Sequence, residues 1–431
     1  MWGGFTMSVL YIRGGKPLEG ELTVQGAKNS VLPILAACLL AGGPVELDNC
    51  PRLTDVAAAL GILRHLGCQA GQEGHVITVD PRGAEGSAVS EEQMRSMRSS
   101  IIFLGPLLAR TGQARLTYPG GCELGARPID LHLSAIRALG CQVTEDAGGI
   151  YCRGRPVGGE VYLTLPSVGA TENAMLCAVG ASGDSTIVNA AREPEIVDLQ
   201  GFLNALGARV RGAGSGVITV EGGRRLGGGH YTVMGDRIVA ATLLAGVAAA
   251  GGHVALRGVD WRSLATVLSV FHQAGCQVAS GEDRVELARD PSCPLQAVRE
   301  IIHTAPYPGF PTDAQAPVMA ALAASRGSTW FEENMFDSRY RHVAELRNMG
   351  ADITVRGRTA LVRGVERLHG ARVAAADLRG GGALAVAALG ARGESVLSGL
   401  HHVDRGYECL EGMLRQLGGQ ARREEEEPAA S

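Results

Sequence analysis

The stretch LRHLGCQ at residues 63–69 returns five more times along the chain, as IRALGCQV at 136–143, LNALGARV at 203–210, FHQAGCQV at 271–278, LRNMGADI at 346–353 and LRQLGGQA at 414–421. The shared glycines are Gly67, Gly140, Gly207, Gly275, Gly350 and Gly418, at intervals of 73, 67, 68, 75 and 68 residues. In each copy an apolar pattern of helical period stops at the glycine and gives way to alternating, strand-like residues. That order marks a helix whose first residue beyond the C-cap takes a left-handed conformation. A second phrase precedes each copy and runs from a strand through a turn into a helix start: GPVELDNCPRLTDV, GQARLTYPGGCELGARPID, GDSTIVNAAREPEIVDL, GGHVALRGVDWRSLATVL, RGSTWFEENMFDSRYRHVAEL and GESVLSGLHHVDRGYECL. Two phrases recurring in one order predict six homologous units of about 70 residues, each alternating strands and helices. Chance occurrence of LG after a helix would not keep the two phrases in step.

Units of this size are too long for a short-repeat solenoid, so two globular halves of three units each is the economical arrangement. The division is expected near VMGDRIVAAT, giving one domain over residues 27–235 and a second formed by residues 1–26 with 236–431. The strand-to-helix turns are the expected functional ends of the repeats.

Composition narrows the partners. The chain has 431 residues, 45% of them hydrophobic, and a net charge of -4, with an isoelectric point near 6.3. It lacks the clustered Lys/Arg excess of a nucleic-acid-binding domain, which leaves a small-molecule partner. Ten cysteines in a chain this long make no dense disulfide framework, and no CxxC pair supplies zinc-ligand spacing. A reducing, cytoplasmic setting fits. The start MWGGFTMSVLYIRGG lacks the pattern of a secretion signal, and Met7 is a second candidate start. The apolar runs VLPILAACLLA and IVAATLLAGVAAA fall short of a bilayer span, so no membrane partner is expected.

Several residues stand where chemistry is possible. QGAKNS puts Lys28 and Asn29 at a helix start, a ready anion site, although a lone lysine there is also an ordinary surface residue. Arg98, Arg127, Arg379 and Arg405, all at turns or helix starts, suit bidentate recognition of phosphate and carboxylate. Asp313 follows the stiff YPGFPT loop. It fits two roles, N-cap of the helix that follows, which the local sequence favours, or a carboxylate held against a substrate hydroxyl. Asp377 begins the segment DLRGGG. Cys122, in the glycine-rich turn YPGGCELGARPIDLH at 118–132, is either a small residue in a tight turn or a thiol whose thiolate is favoured by nearby arginine. Walker and GxGxxG patterns are absent, so no nucleotide cofactor is indicated, and no cofactor of any kind is expected. The adjacent His401 and His402 are expected on different faces, and no metal site is expected.

GAKNSVLP, MRSSIIFLGPLLAR, PGGCELGARPIDLH, PSVGATENAM, NAAREPEIVDL, FPTDAQAP, DLRGGGALAVAAL and HVDRGYE, in this order from about residue 12 to about residue 420, resemble the enolpyruvyl transferases, and among them the UDP-N-acetylglucosamine 1-carboxyvinyltransferases. The resemblance implies an α/β (α+β) inside-out α/β barrel of two similar domains, each of three βαβαββ units. It implies transfer of the enolpyruvyl group of phosphoenolpyruvate to the 3-hydroxyl of UDP-N-acetylglucosamine, the first committed step of peptidoglycan synthesis. By the same resemblance Cys122 is a general acid able to form a covalent adduct and the target of fosfomycin, and Asp313 is the base. Lys28, Asn29, Arg127 and Arg405 meet phosphoenolpyruvate, with Lys28 and Arg405 also counted as catalytic. Asn29, Arg98, Arg127, Pro128, Ile129, Asp130, Leu131, Asp313 and Met335 meet the UDP-sugar, and Arg339, Asp377 and Arg379 support them. The sister enzymes acting on shikimate 3-phosphate lack the cysteine loop, and a binding-only relative would need no proton donor. One departure from the family pattern is the run Gly380, Gly381 and Gly382, which is expected to loosen the Asp377 segment, since each glycine costs up to about 1 kcal/mol of helix propensity against alanine.

Overall fold

Every one of the six shared glycines takes a left-handed φ, between +80° and +104°. The same pair of hydrogen bonds closes each helix: Gly67 N–H donates to the Arg64 carbonyl and Cys68 N–H to the Leu63 carbonyl, and the equivalent atoms pair at Gly140, Gly207, Gly275, Gly350 and Gly418. This Schellman arrangement satisfies carbonyls that a helix end would otherwise leave open, and the positive φ it requires is why the position is glycine.

The computed structural model describes residues 7–97, 99–118 and 129–426. Six four-stranded sheets follow from the six units, all with one plan: a parallel pair, then two antiparallel pairings. Three sheets borrow distant strands, one of them by pairing Leu18–Thr23 parallel to Gly252–Arg257. Gly229–Thr232 runs parallel to Val45–Asp48, and Met7–Arg13 lies between Glu394–Ser398 and Gln420–Glu426. Among the described residues one compact unit runs from Gly26 to Met234, and the other comprises the chain up to Gln25 and from Gly235 onward. Each unit holds three sheets and its own hydrophobic core. The mixed α/β architecture expected from the repeats is the one found.

Each repeat also contains a helix buried on nearly every side. We number these in chain order: α1 Lys28–Ala37, α2 Leu104–Thr111, α3 Val168–Val179, α4 Arg237–Ala250, α5 Thr312–Leu322 and α6 Leu378–Gly390. With no face left for water, such a helix has no polar stripe, and RIVAATLLAGVAAA in α4 shows it. α4, α5 and α6 pack against one another in one unit, and α2 packs on α3 in the other. Small residues permit the approach: a Cβ at Gly105 of α2 would stand 2.4 Å from the Asn173 carbonyl oxygen of α3.

The run Gly380–Gly382 is explained in the same way, against the looseness expected from its propensity. The three glycines are buried inside α6, and Asp377 caps the helix by accepting from the N–H groups of Arg379 at 3.0 Å and Gly380 at 2.9 Å. A Cβ would lie 2.9 Å from Asp377 Oδ2 at Gly380, 2.6 Å from Val403 Cγ2 at Gly381 and 2.4 Å from the Tyr407 hydroxyl at Gly382. Close packing disfavours alanine there, since a neighbouring side chain would have to shift. Gly382→Ala should therefore destabilise the chain by about 1–3 kcal/mol through overpacking, in spite of a helix-propensity gain of up to about 1 kcal/mol. Urea unfolding measures it, and a variant as stable as the parent would contradict the packing account.

Candidate active site

In the unit that contains α4, α5 and α6, the candidate residues gather at the helix N-termini. Asp313 is the second residue of α5, whose N-cap is Pro311, and no side chain caps this helix. The capping role favoured by local sequence is thus not the one Asp313 takes. Its carboxylate instead lies between two guanidinium groups, with Arg339 Nη2 at 2.5 Å from Oδ1 and Arg379 Nη2 at 3.0 Å from Oδ2. Both arginines are buried, each 3% exposed. Burial opposes the charge, but Arg379 and Arg339 outweigh it and hold the carboxyl well below the usual range. Arg339 also donates to the Thr312 carbonyl through Nε and Nη2, which fixes it to the first turn of α5.

Glu333, which sequence reading passed over, organises the surrounding loop. Fully buried, it accepts from the N–H groups of Met335 at 2.8 Å and Phe336 at 3.0 Å and from the Thr312 hydroxyl. It thereby ties the Met335 backbone to the start of α5. Asp377 orients Arg379 by capping α6. Arg405 is partly buried just beyond the helix Leu400–Val403. In that helix the His401 and His402 rings lie with centroids 4.0 Å apart, so the adjacent imidazoles do come together, contrary to expectation.

The unit containing α1, α2 and α3 holds the other described candidates. Lys28 opens α1 and is 7% exposed, which rules out the plain surface role. Its Nζ lies 2.6 Å from Asp55 Oδ2, a buried carboxylate in the first turn of the helix Thr54–His65. Asp55 was also missed, because no local pattern in PRLTDV separates it from a helix-start acid. Asn29 is exposed beside Lys28. Ile129 precedes and Asp130 and Leu131 begin the helix Asp130–Ala138. Arg98, Cys122, Arg127 and Pro128 lie outside the described residues. Of the nine described cysteines seven are buried, and Cys293 and Cys409 are exposed. Burial pushes the thiols of Cys50 and Cys152 up to about 12 and those of Cys68 and Cys276 to about 11, which suppresses thiolate chemistry.

One grouping of potential metal ligands stands among the described residues. Glu46, Asp48 and His230 present three ligand atoms within 4.8 Å of one another on paired strands, with His230 Nε2 already 2.6 Å from Asp48 Oδ2. The distance in sequence between these strands hid it.

Comparison with known proteins bears on what this arrangement does. Residues 12–414 match the family model of EPSP synthase (3-phosphoshikimate 1-carboxyvinyltransferase). The chain is 46% identical over 413 residues to UDP-N-acetylglucosamine 1-carboxyvinyltransferase 2 of Caldanaerobacter subterraneus, covering 96% of this chain and 98% of that one. It is 44% identical over 426 residues to UDP-N-acetylglucosamine 1-carboxyvinyltransferase of Xylella fastidiosa, covering 97% and 100%. Among solved structures it is similar to the enolpyruvyl transferase NikO of Streptomyces tendae, with a TM-score of 0.86, 24% identity and coverage of 98% and 100%. EPSP synthase of Acinetobacter baumannii follows with a TM-score of 0.74, 19% identity and coverage of 97% and 100%. These two likenesses show the fold.

The site also predicts a pH dependence. His342 is 2% exposed beside the α6 start, and neither ring nitrogen makes a hydrogen bond of normal geometry. Burial holds the imidazole down to about 4, with Asp377 pulling it up and Arg339 pushing it down. Unfolding restores an ordinary value of about 6.5, so between these values the unfolded chain binds the extra proton and stability falls as pH falls. From pH 7 to pH 5 the wild type should lose about 2 kcal/mol of unfolding free energy that His342→Leu does not lose. Equal losses in urea titrations of both proteins would show that His342 is not held neutral.

Proposed function

The chain belongs to the EPSP synthase (3-phosphoshikimate 1-carboxyvinyltransferase) family, and from that premise we propose that it transfers the enolpyruvyl group of phosphoenolpyruvate to the 3-hydroxyl of UDP-N-acetylglucosamine in the cytoplasm, committing the sugar to peptidoglycan synthesis. The observation that carries the choice of acceptor is the 46% identity over 96% of the chain to a protein named for that sugar nucleotide.

The reaction proceeds by addition and then elimination. The sugar oxygen bonds to C2 of phosphoenolpyruvate as a proton reaches the methylene carbon. The C2–O bond to phosphate then breaks, and a proton leaves the new methyl group to restore the double bond. Cys122 serves as general acid toward the methylene, a role worth about 10²- to 10⁴-fold. Asp313 accepts from the sugar hydroxyl. Between Arg339 and Arg379 its carboxylate is too weak a base to remove the proton outright. Base action requires that a guanidinium turn toward another anion, and the phosphate of phosphoenolpyruvate is one. Lys28, Asn29, Arg127 and Arg405 meet phosphoenolpyruvate, where fixed cations stabilise the charge that develops at the reacting centre. Lys28 is the first residue of a buried helix with no side-chain cap, and the helix dipole adds to its attraction for an anion. Arg98, Arg127, Pro128, Ile129, Asp130, Leu131 and the backbone at Met335 hold the UDP-sugar. Arg339, Asp377 and Arg379 keep Asp313 in place.

Phosphate release from phosphoenolpyruvate should require UDP-N-acetylglucosamine in the wild type. Asp313→Asn should retain UDP-sugar binding and lose turnover by about 10²-fold or more. Turnover near the wild-type rate in that variant would remove Asp313 from the chemistry.

Fosfomycin, an epoxide phosphonate, should alkylate Cys122 first among the ten cysteines. Cys122→Asp should keep some activity and escape the drug, since a carboxylic acid donates a proton but offers no sulfur. Peptide mass spectrometry after a short pulse reads the site. Adducts mainly on the exposed Cys293 or Cys409 would overturn the assignment.

A further inference from the structure

Two of the quoted phrases, PGGCELGARPIDLH and PSVGATENAM, meet in a buried polar contact to which the reading above gives no role. His132, in the first turn of the helix Asp130–Ala138, is 8% exposed, and Asn173, in α3, is fully buried. Asn173 Oδ1 accepts from the Gly105 N–H at 2.8 Å, which leaves its amide a single orientation. The nitrogen then donates to the Ile101 carbonyl at 2.9 Å and lies 2.8 Å from His132 Nδ1. An amide nitrogen offers hydrogens only, so Nδ1 is the acceptor and the imidazole proton belongs on Nε2. Gly169 completes the seat: a Cβ there would stand 2.9 Å from His132 Cε1, so the ring reaches the first turn of α3 only because that residue is glycine. One side chain thus joins α2, α3 and the helix that begins at Asp130. That helix has no side-chain cap of its own, and its N-cap is Ile129.

We propose that Asn173 and His132 are positioning residues for the UDP-sugar, fixing the angle at which Ile129, Asp130 and Leu131 enter their helix. This inference rests on the assignment of residues 129–131 to the UDP-sugar. An apolar contact would hold the helices together as well but would leave the ring free to slide. A hydrogen bond whose donor is itself locked by the Gly105 N–H and the Ile101 carbonyl sets one register. Neither residue is called on to touch a reacting atom, so the effect belongs on sugar binding and not on the chemical step.

The test combines kinetics with nitrogen NMR of the full chain. ¹⁵N-histidine spectra of the wild type should show His132 protonated on Nε2, and Asn173→Asp, which supplies an acceptor in place of the donor, should move the proton to Nδ1. His132→Leu should raise KM for UDP-N-acetylglucosamine about tenfold, the effect of one buried bond lost, and leave KM for phosphoenolpyruvate and kcat within about twofold. His132→Gln, whose carbonyl oxygen can take the same amide hydrogen, should recover most of the loss. An Nδ1-protonated wild type overturns the proposal, as does an unchanged KM for the sugar in His132→Leu, or no recovery in a folded His132→Gln. A wild type with no turnover on UDP-N-acetylglucosamine sinks the functional reading and this inference together, whereas the other outcomes overturn this inference alone.

Discussion

A helix buried on nearly every side must find partners for its first N–H groups with little help from water, and the chain carries such a helix in each of its six repeats. Three of them solve the problem with their own caps: Ser167 for α3, Asp236 for α4 and Asp377 for α6. α1, α2 and α5 have no side-chain cap of their own; at α2 the Gly105 N–H is met by Asn173 Oδ1 of α3, whereas α1 and α5 begin with Lys28 and with Thr312–Asp313. Two of the three uncapped ends thus carry residues proposed for chemistry. A helix N-terminus favours negative charge, so at α1 it reinforces the lysine and at α5 it helps keep the aspartate ionised. The alanine and glycine content follows from the same burial, because helices that pack on all sides need small residues to approach.

The Asp313–Arg339–Arg379 group shows what such a site costs and gains. Removing a charge from water is unfavourable unless it is paired, and here one carboxylate answers two buried guanidiniums. The group therefore carries excess positive charge, which suits a doubly anionic substrate. Glu333 and Asp377 each face backbone N–H groups and hold the loop and helix from which Arg339 and Arg379 reach inward. Lys28 and Asp55 show the same economy in the other unit.

The fold class was legible because its evidence is local. A glycine with positive φ after a helix leaves a mark within eight residues, and six marks in step give six units. The lysine, the aspartates and the arginines of the candidate site stood out by their setting at turns and helix starts. Their partners did not: Asp55, Glu333 and His342 sit in sequences typical of any helix end or strand end, and only the folding of distant segments brings them to Lys28, Thr312 and Asp377. For Asp313 the local context alone favours a cap, and the pull of two arginines far along the chain cannot be seen from FPTD. The glycine run after Arg379 was misjudged for the same reason, since propensity describes an isolated helix and not one pressed against Tyr407.

The central claim is that this site adds a sugar hydroxyl across the double bond of phosphoenolpyruvate and then expels phosphate. Proton NMR of the product formed in D₂O, with UDP-N-acetylglucosamine and shikimate 3-phosphate offered together, tests it most directly. Addition followed by elimination passes through a methyl group, so the account predicts an enolpyruvyl ether on the 3-oxygen of UDP-N-acetylglucosamine with deuterium in its vinyl methylene. An ether on shikimate 3-phosphate, or a UDP-sugar product whose vinyl methylene carries no deuterium, would contradict it.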